Sequence, residues 1–212
     1  MPLFREWAPD EHSLAAVWHI TEEEHFFADQ VPVRADTIRH GKRRIEFLAG
    51  RFLLQYLKND FPLHAIAKNP NDKPVLPEGP YHFSISHSYP YVACIIDELG
   101  DTGIDIECER ASILSVKHKF LTPEESELFP DTLPDILLAW TAKEAAYKYQ
   151  GLRGVDFRQH LRIVGWKNIT EAEKIISIKL PLIDDSAKKT FKSLIDKDFC
   201  LSYAIRYKHY KI

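Results

Sequence analysis

The chain has 212 residues, 45% hydrophobic and 28% charged, an ordinary soluble composition with length for one large domain or two small ones. It contains no run of about 18 apolar residues, and Met1-Pro2-Leu3-Phe4-Arg5-Glu6 lacks the basic-then-apolar layout of a signal peptide, so a cytoplasmic protein without a membrane partner is expected. A net charge of −3 gives no argument for nucleic-acid binding, and positive charge is local: Arg34 to Arg51 carries six Lys or Arg against Asp36 and Glu46. The three cysteines, Cys94, Cys108 and Cys200, show no CxxC spacing and read as free core thiols rather than a disulfide framework or a zinc site.

In chain order, Leu14 to Ile20 predicts a strand, and Thr21 with Glu24 predicts a capping box opening a short helix. Ile38, Ile45, Leu48, Phe52 and Tyr56 recur at helical steps and predict a long helix from Ala35 to Lys58. Asn69-Pro70-Asn71-Asp72-Lys73-Pro74 is a loop by its turn residues. Tyr81 to Ser86, Tyr91 to Asp97 and Thr102 to Glu107 then read as strands. Thr122-Pro123-Glu124-Glu125 supplies a cap, an N1 proline and an acid at the third position of a new helix. A longer helix is predicted from Pro134 to Tyr149, stopping near Gly151, and Phe157 to Trp166, Ile175 to Leu180, Lys189 to Ile195 and Phe199 to Tyr207 predict an antiparallel sheet. The order of elements is loosely similar in the two halves, without a residue-level repeat. The expected architecture is α+β, with two similar subdomains, 1–103 and 104–212, each a small antiparallel sheet with packed helices.

Several clusters carry possible chemistry. On a strand, residues two apart share a face, so Asp105 and Glu107 stand side by side. Their repulsion is relieved either by solvent at a strand end or by a hard cation such as Mg²⁺ or Mn²⁺. Trp140, Glu144 and Lys148 lie at i, i+4 and i+8 on one helix face, which makes either a surface ion pair or the edge of a cleft marked by the large ring. Arg44, Arg51 and Lys58 form a stripe that is either solvated or anion-binding. Phe83-Ser84-Ile85-Ser86-His87-Ser88 alternates as a strand and delivers Ser86 and His87 at its exit, where His87 is either a turn residue or a phosphate donor. No GxSxG elbow and no P-loop occurs.

Taken in order, Arg43-Arg44-Ile45-Glu46-Phe47-Leu48-Ala49-Gly50-Arg51, Asp72-Lys73-Pro74, Phe83 to Ser88, Gly103-Ile104-Asp105-Ile106-Glu107 and Trp140-Thr141-Ala142-Lys143-Glu144-Ala145 resemble the 4′-phosphopantetheinyl transferases of the large, single-chain, surfactin-synthetase-activating type. The family's usual glycine before Lys-Pro is Asp72 here. The resemblance implies transfer of phosphopantetheine from coenzyme A to a serine of an apo acyl or peptidyl carrier protein, releasing adenosine 3′,5′-bisphosphate, from an active cleft between the two subdomains of a monomer. It implies that Asp105, Glu107 and Glu144 bind Mg²⁺, with Mn²⁺ as a substitute, that Glu144 or Glu107 takes the serine proton directly or through water, and that Lys148 neutralises the phosphates. It further implies coenzyme A contacts from Lys73, Ser86 and His87, with Arg44 and Arg51 as additional anion contacts. Two rival functions use the same residues: a Mg²⁺-dependent nucleotide pyrophosphate hydrolase, with water as the nucleophile, and a catalytically silent carrier-binding module.

Overall fold

The computed structural model describes residues 2–206 and divides into two compact units, Met1–Thr102 and Gly103–Ile212. Both are α+β, each with helices packed on an antiparallel sheet. Among the described residues no helix is long and apolar enough to cross a membrane.

The first unit contains β1 (Leu3–Asp10), β2 (Ser13–His19), α1 (Glu24–Ala28), α2 (Gly41–Leu57), the two-residue strands β3 (Ala67–Lys68) and β4 (Pro74–Val75), β5 (His82–Ser88) and β6 (Tyr91–Asp97). Its main sheet runs β1-β2-β6-β5, antiparallel throughout. Strand alternation sends Ala16 and Trp18 of β2 and Val92, Cys94 and Ile96 of β6 into one core with Leu48, Leu53 and Leu54 of α2. Burying each such leucine stabilises by roughly 1.5–3 kcal/mol, so the leucine face, rather than helix propensity, fixes α2 on the sheet.

Several expectations for this unit need correction. The helix predicted from Ala35 starts at Gly41, after the extended His40. Ile38 keeps the helical spacing but reaches the core from a turn, in which its amide donates to the Ala35 carbonyl. Thr21 does not cap α1: the residue before the helix is Glu23, without a side-chain cap, and the Thr21 amide, like the Trp18 indole, donates to the Glu22 carboxylate. β1 was not expected, since its charged residues hide the alternation of an edge strand. β5 extends to Ser88, so Ser86 and His87 lie within the strand, paired with Ala93 and Val92, and not at its exit.

The second unit contains β7 (Ile104–Cys108), α3 (Ser112–Val116), α4 (Pro123–Leu128), α5 (Leu133–Gln150), α6 (Phe157–His160), β8 (Arg162–Asn168), β9 (Glu173–Lys179), β10 (Lys188–Ile195) and β11 (Phe199–Ile205). Its sheet order is β7-β11-β10-β9-β8, so β7 pairs with β11, the last strand among the described residues, antiparallel. The predicted capping box forms in full at Thr122 and Glu125, with Pro123 in the first turn. Thr132 caps α5, and Gly151, at φ 62°, ends it in the left-handed conformation that glycine adopts without strain. The strand predicted from Phe157 begins only at Arg162, because the Asp156 carboxylate accepts from the Arg158 and Gln159 amides and turns those residues into α6. Tyr207, predicted as the end of the last strand, lies outside the described residues.

α5 is buried on most of its circumference and packs on Ile176, Ile178, Phe191 and Cys200 of the sheet. Its approach to β7 is so close that a Cβ on Gly103 would stand 2.1 Å from the Ala145 carbonyl oxygen and 2.7 Å from the Tyr149 nitrogen. Only glycine fits there, and that contact aligns β7 with the last two turns of the helix.

Candidate active site

Ser202 and Cys200 of β11 pair in register with Asp105 and Glu107 of β7, and the Ser202 hydroxyl lies 2.9 Å from that of Thr141 on α5. The face carrying both carboxylates is therefore the face α5 covers. Asp105 is buried, 4% exposed, and Lys148 Nζ lies 2.7 Å from its Oδ1. Glu107 Oε1 accepts from the Trp140 indole nitrogen at 3.1 Å and from Arg110 Nη2 at 3.1 Å. Trp140 is itself held between Phe120, edge-on at 4.9 Å, and Phe157, stacked at 5.4 Å.

Electrostatics joins Glu144 to this pair. Burial, and then the negative charge of Asp105, push the Glu144 carboxyl up to about 7, with Glu107 adding to the rise against Lys148 and Arg110. Burial, followed by Asp105, also raises Glu107, opposed by the Trp140 hydrogen bond and the charges of Arg110 and Lys148. Carboxylates that raise one another's proton affinity in this way are stabilised by a cation. Among the described residues no three His, Cys, Asp or Glu side chains gather into a ready metal cage. The donor chemistry nevertheless fits Mg²⁺, which takes hard oxygens and is held by one or two carboxylates with substrate phosphates and water.

The remaining predicted residues lie in the first unit. Lys73 Nζ sits 3.0 Å from Asp101 Oδ1, in a cavity of about 260 Å³ whose walls include Asn69, Pro74, Tyr81 and His82. The loop before it is shaped by Asn69, whose Oδ1 accepts from the Asn71 and Lys73 amides. Asp72 has φ 63°, so it holds the left-handed conformation glycine favours, one that aspartate tolerates better than most residues. The departure from the family pattern thus keeps a glycine-like backbone. Ser86 is buried at 4% exposed, and the exposed His87 places Nδ1 3.3 Å from Glu46 Oε2. The basic stripe is engaged within the unit: Arg44 Nε lies 2.6 Å from Glu24 Oε1, the Arg51 guanidinium rests 3.7 Å above the Phe47 ring, and Lys58 Nζ lies 2.8 Å from Glu98.

Sequence reasoning missed Arg110 and the Trp140 indole as partners of Glu107, Glu46 as the partner of His87, and a buried ion pair. Lys143 Nζ, 0% exposed, lies 2.7 Å from Glu125 Oε1, whereas the sequence pattern marks Glu125 only as a capping acid. A lysine on the apolar side of α5, among Ala139, Ala142 and Ala146, is the signal that would have exposed it.

Residues 101–204 match the model of the 4′-phosphopantetheinyl transferase superfamily. The chain is also similar to proteins named 4′-phosphopantetheinyl transferase AcpT. It is 34% identical to those of Escherichia coli K12 and Escherichia coli O157:H7 over 119 residues, covering 52% of this chain and 60% of each relative. With the protein of Salmonella typhi the identity is 32% over 119 residues, 52% of this chain and 61% of the relative. The match spans about three-fifths of the length of these relatives.

Proposed function

We propose that the protein transfers the 4′-phosphopantetheine group of coenzyme A to a serine hydroxyl of an apo acyl or peptidyl carrier protein, releasing adenosine 3′,5′-bisphosphate, as a monomeric cytoplasmic enzyme of the surfactin-synthetase-activating type. The observation that carries this reading is the gathering of Asp105, Glu107, Trp140, Glu144 and Lys148 on β7 and α5, inside the segment that matches the superfamily. The serine oxygen forms a bond to the phosphorus that bears pantetheine, the bridging P–O bond to the adenosine-side phosphate breaks, and that phosphate leaves with the electron pair. Such a transfer depends on positioning and charge neutralisation more than on covalent help from the enzyme.

Glu144, raised by burial and its acidic neighbours, accepts the serine proton directly or through water, and Glu107 is the alternative acceptor. Lys148 holds its positive charge 2.7 Å from Asp105 and neutralises the pyrophosphate as the bond breaks. When bound, Mg²⁺, or Mn²⁺ in its place, held by Asp105, Glu107 and Glu144, supplies further charge neutralisation on the pyrophosphate. Lys73 and His87 are assigned to the 3′-phosphate and Ser86 to a further coenzyme A contact, with Arg44 and Arg51 as additional anion contacts.

The test incubates the protein with coenzyme A, Mg²⁺ and several apo carrier proteins and weighs the carriers by mass spectrometry. A phosphopantetheine mass gain on the carrier serine is expected. Carrier-independent cleavage of coenzyme A would establish the hydrolase instead, and binding without mass gain or cleavage would establish the silent module.

A further inference from the structure

A lysine that is 0% exposed in the middle of a functional helix calls for a reason, because an apolar residue of similar volume there avoids the cost of desolvating an ion pair. The hydrogen bonds of Lys143 supply one. Besides Glu125, the ammonium donates to the backbone carbonyls of Phe120 at 2.6 Å and of Phe157 at 3.0 Å, so all three protons are used. Glu125 is equally tied: its Oε1 accepts from the Ile163 amide at 2.6 Å and its Oε2 from the Thr122 amide at 2.8 Å. Phe120 and Phe157 belong to separate chain segments, and they are the two residues whose rings hold Trp140. The Trp140 indole in turn donates to Glu107.

We infer that Lys143 is a positioning residue, which fixes the two segments whose phenylalanine rings clamp Trp140 and so sets where the Trp140 indole holds the Glu107 carboxylate. Lys143 lies on the same helix as Trp140 and Glu144 but turns inward, so the ion pair acts on the site through the backbone of its walls. This role deepens the transferase reading and rests on it only where turnover is concerned.

The test uses the full chain. In the double variant Lys143→Met, Glu125→Gln, which preserves volume without leaving a buried charge alone, the Trp140 indole N–H resonance, assigned by Trp140→Phe, should move, and its hydrogen exchange should accelerate about tenfold or more. In carrier modification kcat should fall about tenfold or more while the KM for coenzyme A stays within about twofold. Phe157→Leu leaves the Lys143 bonds to the backbone in place and removes only the ring against Trp140. It should reproduce both changes through the ring alone, and if the double variant does not fold, the milder pair Lys143→Gln, Glu125→Gln, which keeps a polar bond between the two positions, carries the test of the lysine.

Lys174→Met is the control. Lys174 pairs with Asp135 at 3.3 Å and lies 4.5 Å above the Trp166 ring, so its loss should disturb the Trp166 resonance and leave that of Trp140 in place. An unmoved Trp140 resonance in the folded Lys143 and Glu125 double variant, or an equal movement in Lys174→Met, overturns the assignment. The resonance is read without substrate, so it still decides the positioning role if no carrier protein is modified, an outcome that would overturn the transferase reading alone.

Discussion

The carbonyl oxygen of Ala145 occupies the place where Gly103 would carry a Cβ, at 2.1 Å. A side chain there must push α5 away from the strand that bears Asp105 and Glu107. Overpacking in a core costs about 1–3 kcal/mol, and a clash with helix backbone relaxes less readily than one with side chains. Gly103→Ala should therefore lower the unfolding free energy by at least that amount and depress turnover. Gly100→Ala, where a Cβ meets nothing within 4 Å, should stay within about 0.5 kcal/mol of the parent. Denaturant midpoints of the two variants check this, and equal midpoints would refute it.

Coenzyme A should bind more tightly than its 3′-dephospho form. Lys73 and His87 are the proposed partners of the extra phosphate, and charge-assisted hydrogen bonds contribute about 1.5–3 kcal/mol each. Lys73 already faces Asp101 and His87 faces Glu46, so each partner exchange reduces the gain, and a difference of about tenfold in Kd is expected. Calorimetry reads it directly; indistinguishable affinities would remove both residues from the 3′-phosphate.

Much of this organisation was legible in the chain because it depends on local periodicity. The two-residue spacing of Asp105 and Glu107 and the four-residue spacing from Trp140 to Lys148 each place side chains on one face, whatever the rest of the chain does. The pairing of Lys148 with Asp105 was not legible, since the favourable i,i+4 partner, Glu144, is local, whereas Asp105 is brought in by the packing of α5 on the sheet. Ile38 misled for the opposite reason: an apolar residue at helical spacing can reach the same core from a turn. The tie from Lys143 to two backbone carbonyls carries no sequence signature, as any residue supplies a carbonyl. Asp72 shows where a motif reading is too strict, because the loop requires a left-handed φ rather than glycine itself.

The Lys143 ion pair predicts an inverted pH dependence of stability. Burial, opposed by Glu125, holds the Lys143 ammonium down at about 8, against 10.5 as its ordinary value, so it remains charged at neutral pH. Between these values the unfolded chain binds a proton that the folded chain has released. The contribution of Lys143 to stability therefore rises with pH across this window and is flat below it. An exposed lysine paired with an acid would behave oppositely, losing stability as pH rises through its raised value. Unfolding free energies of the parent minus those of Lys143→Met, Glu125→Gln, measured from pH 7 to pH 10, should increase with pH, and a flat or falling difference would contradict the assignment.

On the proposed reading a divalent cation would share with Lys148 the carboxylate of Asp105, which is 4% exposed. If the lysine served the fold alone, its removal would leave a buried carboxylate without its 2.7 Å ammonium, and the loss would appear in thermal stability with turnover preserved. On the transferase reading the main loss is in kcat, about 10²-fold or more, with the KM for coenzyme A changed far less, because the charge on the leaving phosphate grows only as the bond breaks. The two roles also respond differently to metal. A cation taken up by Asp105, Glu107 and Glu144 relieves the repulsion that Lys148 had offset, so Mg²⁺ should raise the Tm of Lys148→Ala more than that of the parent. Asp105→Asn should be inactive and should lose the Mg²⁺-induced rise, and chelator should abolish turnover of the parent. Steady-state kinetics beside melts with and without Mg²⁺ measures each arm. Near-normal kcat in Lys148→Ala would return the lysine to a structural role, and full turnover of Asp105→Asn in chelator would remove the metal from the reaction.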